Sequence, residues 1–397
     1  MFDALPLPVQ ALFDALAAAG HEAVLVGGCV RDRVRGAPVH DFDIATSASA
    51  AQLLALFPRA VPIGLQFGTV MVPTAAGPVD VTQFRGATLV DDLARRDFTL
   101  NAIAFDPRRR RVIDPHGGLT DLAARRLRAV GRAEDRLAED PLRALRAARI
   151  AAELSLELDG ALEAALPAQA GALARVAAER IGSELLRLLG AQRPGPGLAL
   201  LRRSGLEAVL VPGAREDALR VIDGLEPELT LRLAGWLRGS AAASLLARWR
   251  VPRARSLQVE ALLAIHPVEA NAGESDAGAR RLRKRLGSEA QLRRALALRE
   301  AECSAGSVPD AERVRSRLAG LRDRLARTEA QAVARSALAL SGEQVMASLG
   351  CAPGPRVGAA LAHLLECVLE DPSQNTPERL LTLLRRWVDE TATATSG

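Results

Sequence analysis

Two aspartates one residue apart, Asp41 and Asp43, are the most chemically suggestive pair in the chain. On an extended strand, residues i and i+2 point to one face, so both carboxylates project together while Phe42 turns into the core. Adjacent carboxylates repel each other unless a cation lies between them. An all-oxygen donor set suits Mg²⁺, particularly where nucleotide phosphates complete its octahedron. The D-x-D is therefore a candidate site for two-metal phosphoryl transfer. The same pair also occurs as the plain solvated end of a strand, and its surroundings decide between the two readings.

Those surroundings favour chemistry. The short apolar run Ala23 to Val26 ends at Gly27-Gly28, and Cys29 to Val34 has the pattern of a helix entered straight from the glycines. Glycines let a backbone approach a ligand closely, and a helix start offers free N–H groups to phosphate. Gly28 and Arg31, on the first turn, are thus candidates for contact with a triphosphate. A tight strand-to-helix turn carrying a surface arginine is the plainer alternative.

The elements that would hold these residues follow from periodicity. Leu7 to Ala19 has helical spacing, whereas Asp41 to Ala45, Gly68 to Val72, Pro78 to Phe84 and Asn101 to Phe105 alternate or run apolar as strands do. Asp106 to Arg111 predicts a hairpin turn into Val112-Ile113. From Leu122 onward the pattern is almost wholly helical, with breaks near Arg193 to Pro196, Val211 to Gly213, Val251-Pro252 and Pro353 to Pro355.

Composition agrees with a helix-rich protein. Hydrophobic residues make up 49% of the 397, but aromatics only 3% and tyrosine is absent, which argues against an aromatic-rich β-sandwich. The net charge of +5 permits a nucleic-acid partner without demanding one. Lys284 is the one lysine among 52 basic residues, so the positive charge is carried by arginine, whose planar fork matches phosphates and base edges. The four cysteines, Cys29, Cys303, Cys351 and Cys367, are far apart, and neither a zinc site nor a disulfide framework is expected. No signal-like N-terminus and no uncharged run of membrane-spanning length is apparent, so a cytoplasmic location is expected.

Taken together, several stretches resemble the class II tRNA nucleotidyltransferase and bacterial poly(A) polymerase superfamily. VGGCVRD…HDFDIAT is similar to its first motif, ARRDFTLNAIAFD to its second and DPHGGLTDL to its third. EDPLRALRAARI and ERIGSELLRLL are similar to the motifs that follow, and IGLQFGTVMV also matches the family's head. The motifs stand in family order over roughly half the chain.

The resemblance implies an α/β head with a small mixed sheet, followed by all-α neck, body and tail. The boundaries expected are 1–124 for the head, 125–190 for a neck that recognises the base, 191–265 for the body and 266–397 for a tail that grips tRNA. It implies Mg²⁺ as cofactor, held by Asp41 and Asp43, with Asp80 on the strand VDVTQF as a third acidic position or simply a strand carboxylate. Arg96 would contact the nucleotide. Asp97 and Asn101 would bind ribose or brace the loop. LSGEQVMASLGCAPGPRVGAALAHLL, followed by Asn375-Thr376, is similar to the tRNA-gripping tail.

Asp140 and Arg143 are i and i+3, so they are expected to neighbour each other on a helix. A carboxylate only accepts hydrogen bonds and a guanidinium only donates. Cytosine and adenine each present an amino donor beside a ring-nitrogen acceptor, so the pair satisfies both. Uracil and guanine present the reverse pattern and would leave buried polar groups unpaired. Arg146 and Arg149 continue the pattern and, by resemblance, face the nucleotide or its phosphates; an Arg-rich solvated face is the alternative.

One departure from the family bears on the product. Full CCA-adding members carry a flexible segment between the strand ending in -FR and the second-motif helix. Here Phe84-Arg85 is followed by GATLV and then Asp91. In the family this segment is the lever that switches specificity from CTP to ATP. Its near absence implies addition of CC alone to the tRNA 3′ end, with CTP as substrate and ATP use in doubt. Full CCA addition and a poly(A) polymerase are the alternatives.

Overall fold

The computed structural model describes residues 5–39, 41–64, 68–328 and 338–394. His40 of the HDFD run and Leu65 to Phe67 of the IGLQFG run lie outside the described residues. The chain divides into two units, 1–210 and 211–397.

The first unit is built on a seven-stranded mixed sheet. Helix α1 (Leu7–Ala18) leads into β1 (Ala23–Val26), α2 (Gly28–Val34), β2 (Phe42–Thr46) and α3 (Ala50–Leu56). Strands β3 (Val61–Gly64), β4 (Thr69–Thr74) and β5 (Gly77–Gln83) form a meander, followed by α4 (Leu89–Ala94), β6 (Ala104–Asp106) and β7 (Arg111–Ile113). The strand order is β3-β4-β5-β2-β1-β6-β7, and β2 with β5 is its parallel pair.

Strand alternation sorts the side chains onto two faces. Phe42 and Ile44 of β2, with Val79 and Val81 of β5, bury against Leu12, Phe13 and Leu16 of α1. The opposite face carries Val24, Val26 and Ala45 with Leu89 and Leu93 of α4. Because the period is two, Asp43 and Asp80 fall on this second face, and the core that packs Phe42 and Ile44 is what fixes them there.

The expected strand Asn101 to Phe105 is shorter than its apolar pattern suggests. Thr99–Asn101 forms a 3₁₀ turn, and β6 begins at Ala104. The buried Asp97 carboxylate explains this: its Oδ1 accepts from the Phe98 N–H at 2.8 Å and the Asn101 amide at 3.0 Å, which winds the segment before it can extend.

After the sheet come α5 (Gly118–Ala123), α6 (Ala133–Glu139) and α7 (Leu142–Leu154), and later the helix Ala178–Gly190, which packs on α7. The helical region is interrupted by a two-residue parallel pair, Arg126–Leu127 with Glu157–Leu158, which is too short to leave a period-two signature. Gly197 sits where a Cβ would lie 2.5 Å from the Ala148 carbonyl oxygen, so the helix Gly195–Arg203 packs against α7 without a side chain between them.

The second unit is helical throughout its described elements. Trp236 stacks on Trp249 with ring centroids 6.0 Å apart. The tail motif forms the helix Gly342–Leu349, a left-handed turn at Gly350 and the helix Pro355–Glu370 around a core that includes Val345, Leu364, Val368 and Leu380. Ser341 and Gln344 cap its first helix reciprocally, and the Asn375 amide oxygen accepts from the Ala339 N–H at 2.8 Å. Among the described residues, no helix is long and apolar enough to cross a membrane.

Candidate active site

β2 and β5 bring two carboxylates together. Asp43 and Asp80 are direct partners in the parallel register, and Asp41 precedes β2 at the same phase. Burial, reinforced by the charges of Asp80 and Asp41, pushes the Asp43 carboxyl up to about 6, although Arg96 and Arg146 pull the other way. Burial and Asp41 raise Asp80 as well. Anionic charge thus accumulates at one edge of the sheet beyond what the neighbouring arginines offset.

That edge fits a hard divalent cation. Its donors are all carboxylate oxygens. Among the described residues, no group of three or more His, Cys, Asp or Glu side chains is placed to hold a metal ion by itself. An open carboxylate edge matches the habit of Mg²⁺, which keeps water and phosphate oxygens in its shell.

Gly27 adjoins the same edge. It adopts φ +75°, and a Cβ there would lie 3.3 Å from Arg96 Nη1 and 3.7 Å from Asp43 Oδ2. A side chain would be strained by the backbone and would press on the Arg96 guanidinium. At Gly28 a Cβ would stand 3.5 Å from Arg31 Nη2, in ordinary contact with that guanidinium.

The arginines are braced rather than loose. Arg31 donates to both Asp32 oxygens, at 2.9 and 2.7 Å, and to Asn101 Oδ1 at 2.8 Å. Arg96 donates through Nε and Nη2 to Asp92 Oδ2 at 3.0 and 2.9 Å, and Asp92 is 1% exposed. Asp97 accepts from Arg146 through Oδ2 at 2.9 and 2.8 Å. Burial would raise the Asp97 carboxyl, but Arg146, the Asn101 amide and the Phe98 N–H together hold it below the usual range. Asp97, foremost, and Glu184 keep Arg146 firmly charged against burial. Glu184 also accepts from Arg149 Nε at 2.6 Å, and Arg149 reaches Glu153. Asp97 and Asn101 therefore brace this network. Arg146 and Arg149 do not form a solvated face; Arg149 is buried.

Asp140 and Arg143 are arranged differently from the helical pair that their spacing suggests. α6 ends at Glu139, and Asp140 is extended at φ −148°, ψ 101°. Pro141 cannot supply an N–H to continue a helix, so α7 starts afresh at Leu142. Asp140 caps that start: Oδ1 accepts from the Leu142 N–H at 3.1 Å and its carbonyl from the Arg143 N–H at 2.9 Å. Its other oxygen accepts from Arg180 at 2.8 Å. Arg143 donates to Glu139 at 2.7 Å and to the carbonyls of Arg136 and Arg95 at 2.8 and 3.3 Å.

The structure brings all twelve sequence-singled residues, from Gly28 to Arg149, to the wall of one cleft of about 780 Å³. Sequence reasoning passed over their partners. Asp92 was findable as an acid four residues before Arg96 on a helix. Glu184 and Arg180 lie within ERIGSELLRLL, but nothing local ties them to residues about forty positions earlier.

Over most of its length the chain is similar to known proteins. Residues 23–128 match the poly A polymerase head domain, and residues 155–217 match the probable RNA and SrmB-binding site of polymerase A. The CCA-adding enzyme of Geobacillus stearothermophilus is 33% identical over 92% of this chain and 93% of its own length. The CC-adding tRNA nucleotidyltransferase of Shouchella clausii is 45% identical over 48% of this chain, an alignment that spans half of that protein. The crystal structure of the Bacillus stearothermophilus CCA-adding enzyme in complex with CTP superposes with a TM-score of 0.76 at 29% identity, covering 98% of each chain.

Proposed function

The chain belongs to the class II superfamily of CCA-adding enzymes and poly(A) polymerases, and from that premise we propose that it adds two cytidylyl residues from CTP to the 3′ end of tRNA, releasing pyrophosphate. The reaction would take place in the cytoplasm, with no nucleic-acid template. Residues 1–124 would serve as catalytic head, 125–190 as neck, 191–265 as body and 266–397 as tRNA-binding tail.

The observation that carries the transferase reading is the Asp43–Asp80 pair facing a cleft walled by Arg31, Arg96 and Arg146. Asp41 and Asp43 would hold Mg²⁺, with Asp80 beside them. Held by these carboxylates, Mg²⁺ would supply positive charge to lower the pKa of the tRNA 3′-OH and to offset the charge of the departing pyrophosphate. Arg96, fixed by Asp92 beside Gly27, gives the triphosphate a charged, preorganised contact. Asp140 accepts from the cytosine amino group and Arg143 donates to the ring nitrogen beside it. A carboxylate has about four acceptor sites, so Asp140 keeps capacity beyond Leu142 and Arg180. The Nε–H of Arg143 makes no bond among the described residues and is available to a base.

Restriction to CC is supported by the connection from β5 to α4. Gly86 lies so close to Asp91 that a Cβ would meet its Cβ at 2.4 Å. Thr88 and Asp91 form a capping box, and the Arg85 N–H donates to buried Asp92 at 3.1 Å. The link is short and bonded down, a poor lever. Full CCA addition is the second reading, favoured by the named activity of the Geobacillus relative that aligns along nearly its whole length. The test is incubation of tRNA lacking CCA with CTP, ATP or both, and sizing of the products. Two added residues with CTP, unchanged by ATP, support the proposal; three with both nucleotides support the second reading, and none overturns both.

A further inference from the structure

A second cleft, of about 1280 Å³, opens in the same unit and shares Asp140, Arg143 and Arg180 with the first. Its remaining charge is distinctive. Arg85, Arg95 and Arg175 line it, all three are exposed, and none of their guanidiniums makes a hydrogen bond or ion pair among the described residues. The carboxylates on its wall, Glu139 and Asp140, are already engaged by Arg136, Arg143 and Arg180. In the carboxylate cleft Arg31, Arg96, Arg146 and Arg149 each have an acidic partner, while Arg187 and the shared Arg85 make no side-chain bond among the described residues.

Unpaired arginines held in a concavity, with every nearby acid committed elsewhere, form an anion site. Partial desolvation within the cleft and the neighbouring charges of Arg96 and Arg143 also disfavour the charge on Arg85, against the pull of Asp92 and Asp97, a cost that a bound anion would reduce. Arg85 lines both clefts, so the anion at this point must connect with whatever occupies the carboxylate cleft. A strand whose phosphates recur along its length suits three separate guanidiniums at the wall of a larger channel.

We propose that Arg85, Arg95 and Arg175 bind successive backbone phosphodiesters of the RNA 3′ strand, and that the second cleft is the route by which that strand reaches the carboxylates. The inference rests on the transferase reading and adds to it the path of the RNA. Arginine contacts to phosphate release counterions, so binding should weaken with salt in proportion to their number.

The test measures binding without turnover. The full chain and its Arg85→Gln, Arg95→Gln, Arg175→Gln and triple variants are titrated with tRNA lacking CCA over a range of salt, and separately with CTP. The expected result is a slope of log affinity against log salt shallower by about 0.7 per single variant and about 2 for the triple, with CTP affinity within twofold of the parent. The triple Arg→Lys variant should retain the parent slope, since lysine keeps the charge. Unchanged thermal melting of the Gln variants excludes a folding defect as the cause. An unchanged RNA slope overturns the proposal, as does a loss confined to CTP, which would assign these residues to the triphosphate. Failure of the parent chain to bind tRNA at all would overturn the transferase reading itself.

Discussion

Asp43 of β2 and Asp80 of β5 stand side by side in the parallel register, on the sheet face turned away from the α1 core. Burial, and after it the charge of Asp80, raises the Asp43 carboxyl to about 6. A divalent cation would reverse that penalty. Asp43→Asn should therefore lose nucleotide incorporation by about a hundredfold or more, the cost of forfeiting several kcal/mol of charge stabilisation. It should not lower the melting temperature in metal-free buffer, because it removes repulsion rather than a bond. Asp41→Ala should lose incorporation to a similar extent. Near-parental incorporation by either variant, measured with radiolabelled CTP, would remove the metal assignment.

Base selection gives a second prediction. Asp140→Ala and Arg143→Ala should relax discrimination against UTP and GTP by about 1–3 kcal/mol each, by analogy with bidentate base readout. General triphosphate affinity should change less. The check is the ratio of kcat/KM for CTP to that for UTP in each variant; a ratio equal to the parent's in both would dismiss the pair as a template. Arg180→Ala separates positioning from contact. It frees one Asp140 oxygen while the Leu142 cap remains, so selectivity should fall less than in Asp140→Ala.

How far the sequence disclosed this site depends on how local each determinant is. The D-x-D phase, the glycine turn and most head strands are set by spacing within a few residues, and they were legible. The S-x-x-Q at Ser49 and Gln52 was equally local; it caps α3 with a reciprocal box, but no helix was read there. Pro141 also carried a local signal, since it breaks the helix that the Asp140–Arg143 spacing invites. The rest was not legible for a different reason. Arg180 on Asp140, Glu184 on Arg146 and Arg149, and Asp97 on Arg146 are contacts across 35 to 49 positions, made only when the helix Ala178–Gly190 and the head loop close on α7. No periodicity encodes which acid will meet which arginine.

A buried ion cluster in the second unit gives a pH prediction. Glu302 accepts from Arg238, from Arg299 at 3.0 Å and from His266 at 3.0 Å, and its side chain is 5% exposed. Burial opposes its charge, but these three partners hold the carboxyl at about 2, against an ordinary value of 4.5. A depressed folded-state pKa contributes stability above the unfolded pKa and loses it as pH falls from 4.5 towards 2. The contribution is on the order of 3 kcal/mol. Thermal melting of the parent should therefore drop steeply across that window. Glu302→Gln should be less stable near pH 7, by up to about 3 kcal/mol, because Arg238 and Arg299 lose one buried counter-charge while keeping Asp217 and Glu269. The gap between the two should narrow as pH falls below 4.5; a constant gap down to pH 2.5 would show that the cluster is not what titrates.

The final prediction concerns the stopping point. Asp140 and Arg143 match the hydrogen-bonding edge of cytosine and of adenine alike, but cytosine is one ring and adenine two. Accepting adenine in the same place requires the template side chains to withdraw or rotate, which needs an element with two arrangements that the growing 3′ end can bias. The connection from Arg85 to α4 offers little such freedom: Gly86 is pressed on Asp91, Thr88 and Asp91 cap each other, and buried Asp92 holds both the Arg85 N–H and the Arg96 guanidinium. Moving this link would break the brace on Arg96, the residue proposed to contact the nucleotide. The pocket should then keep its cytosine-sized state after two additions, so that tRNA ending in CC gains little or no A at physiological ATP. Replacing residues 86–90 with a longer flexible segment, while retaining Asp91 and Asp92, should confer some A addition on the CC-ended substrate and leave the first two additions within a fewfold of the parent. Efficient A addition by the parent chain would refute the restriction to CC and leave the nucleotidyl-transfer reading standing, whereas a grafted chain that still stops at CC would show that the limit lies in the pocket walls and not in the link.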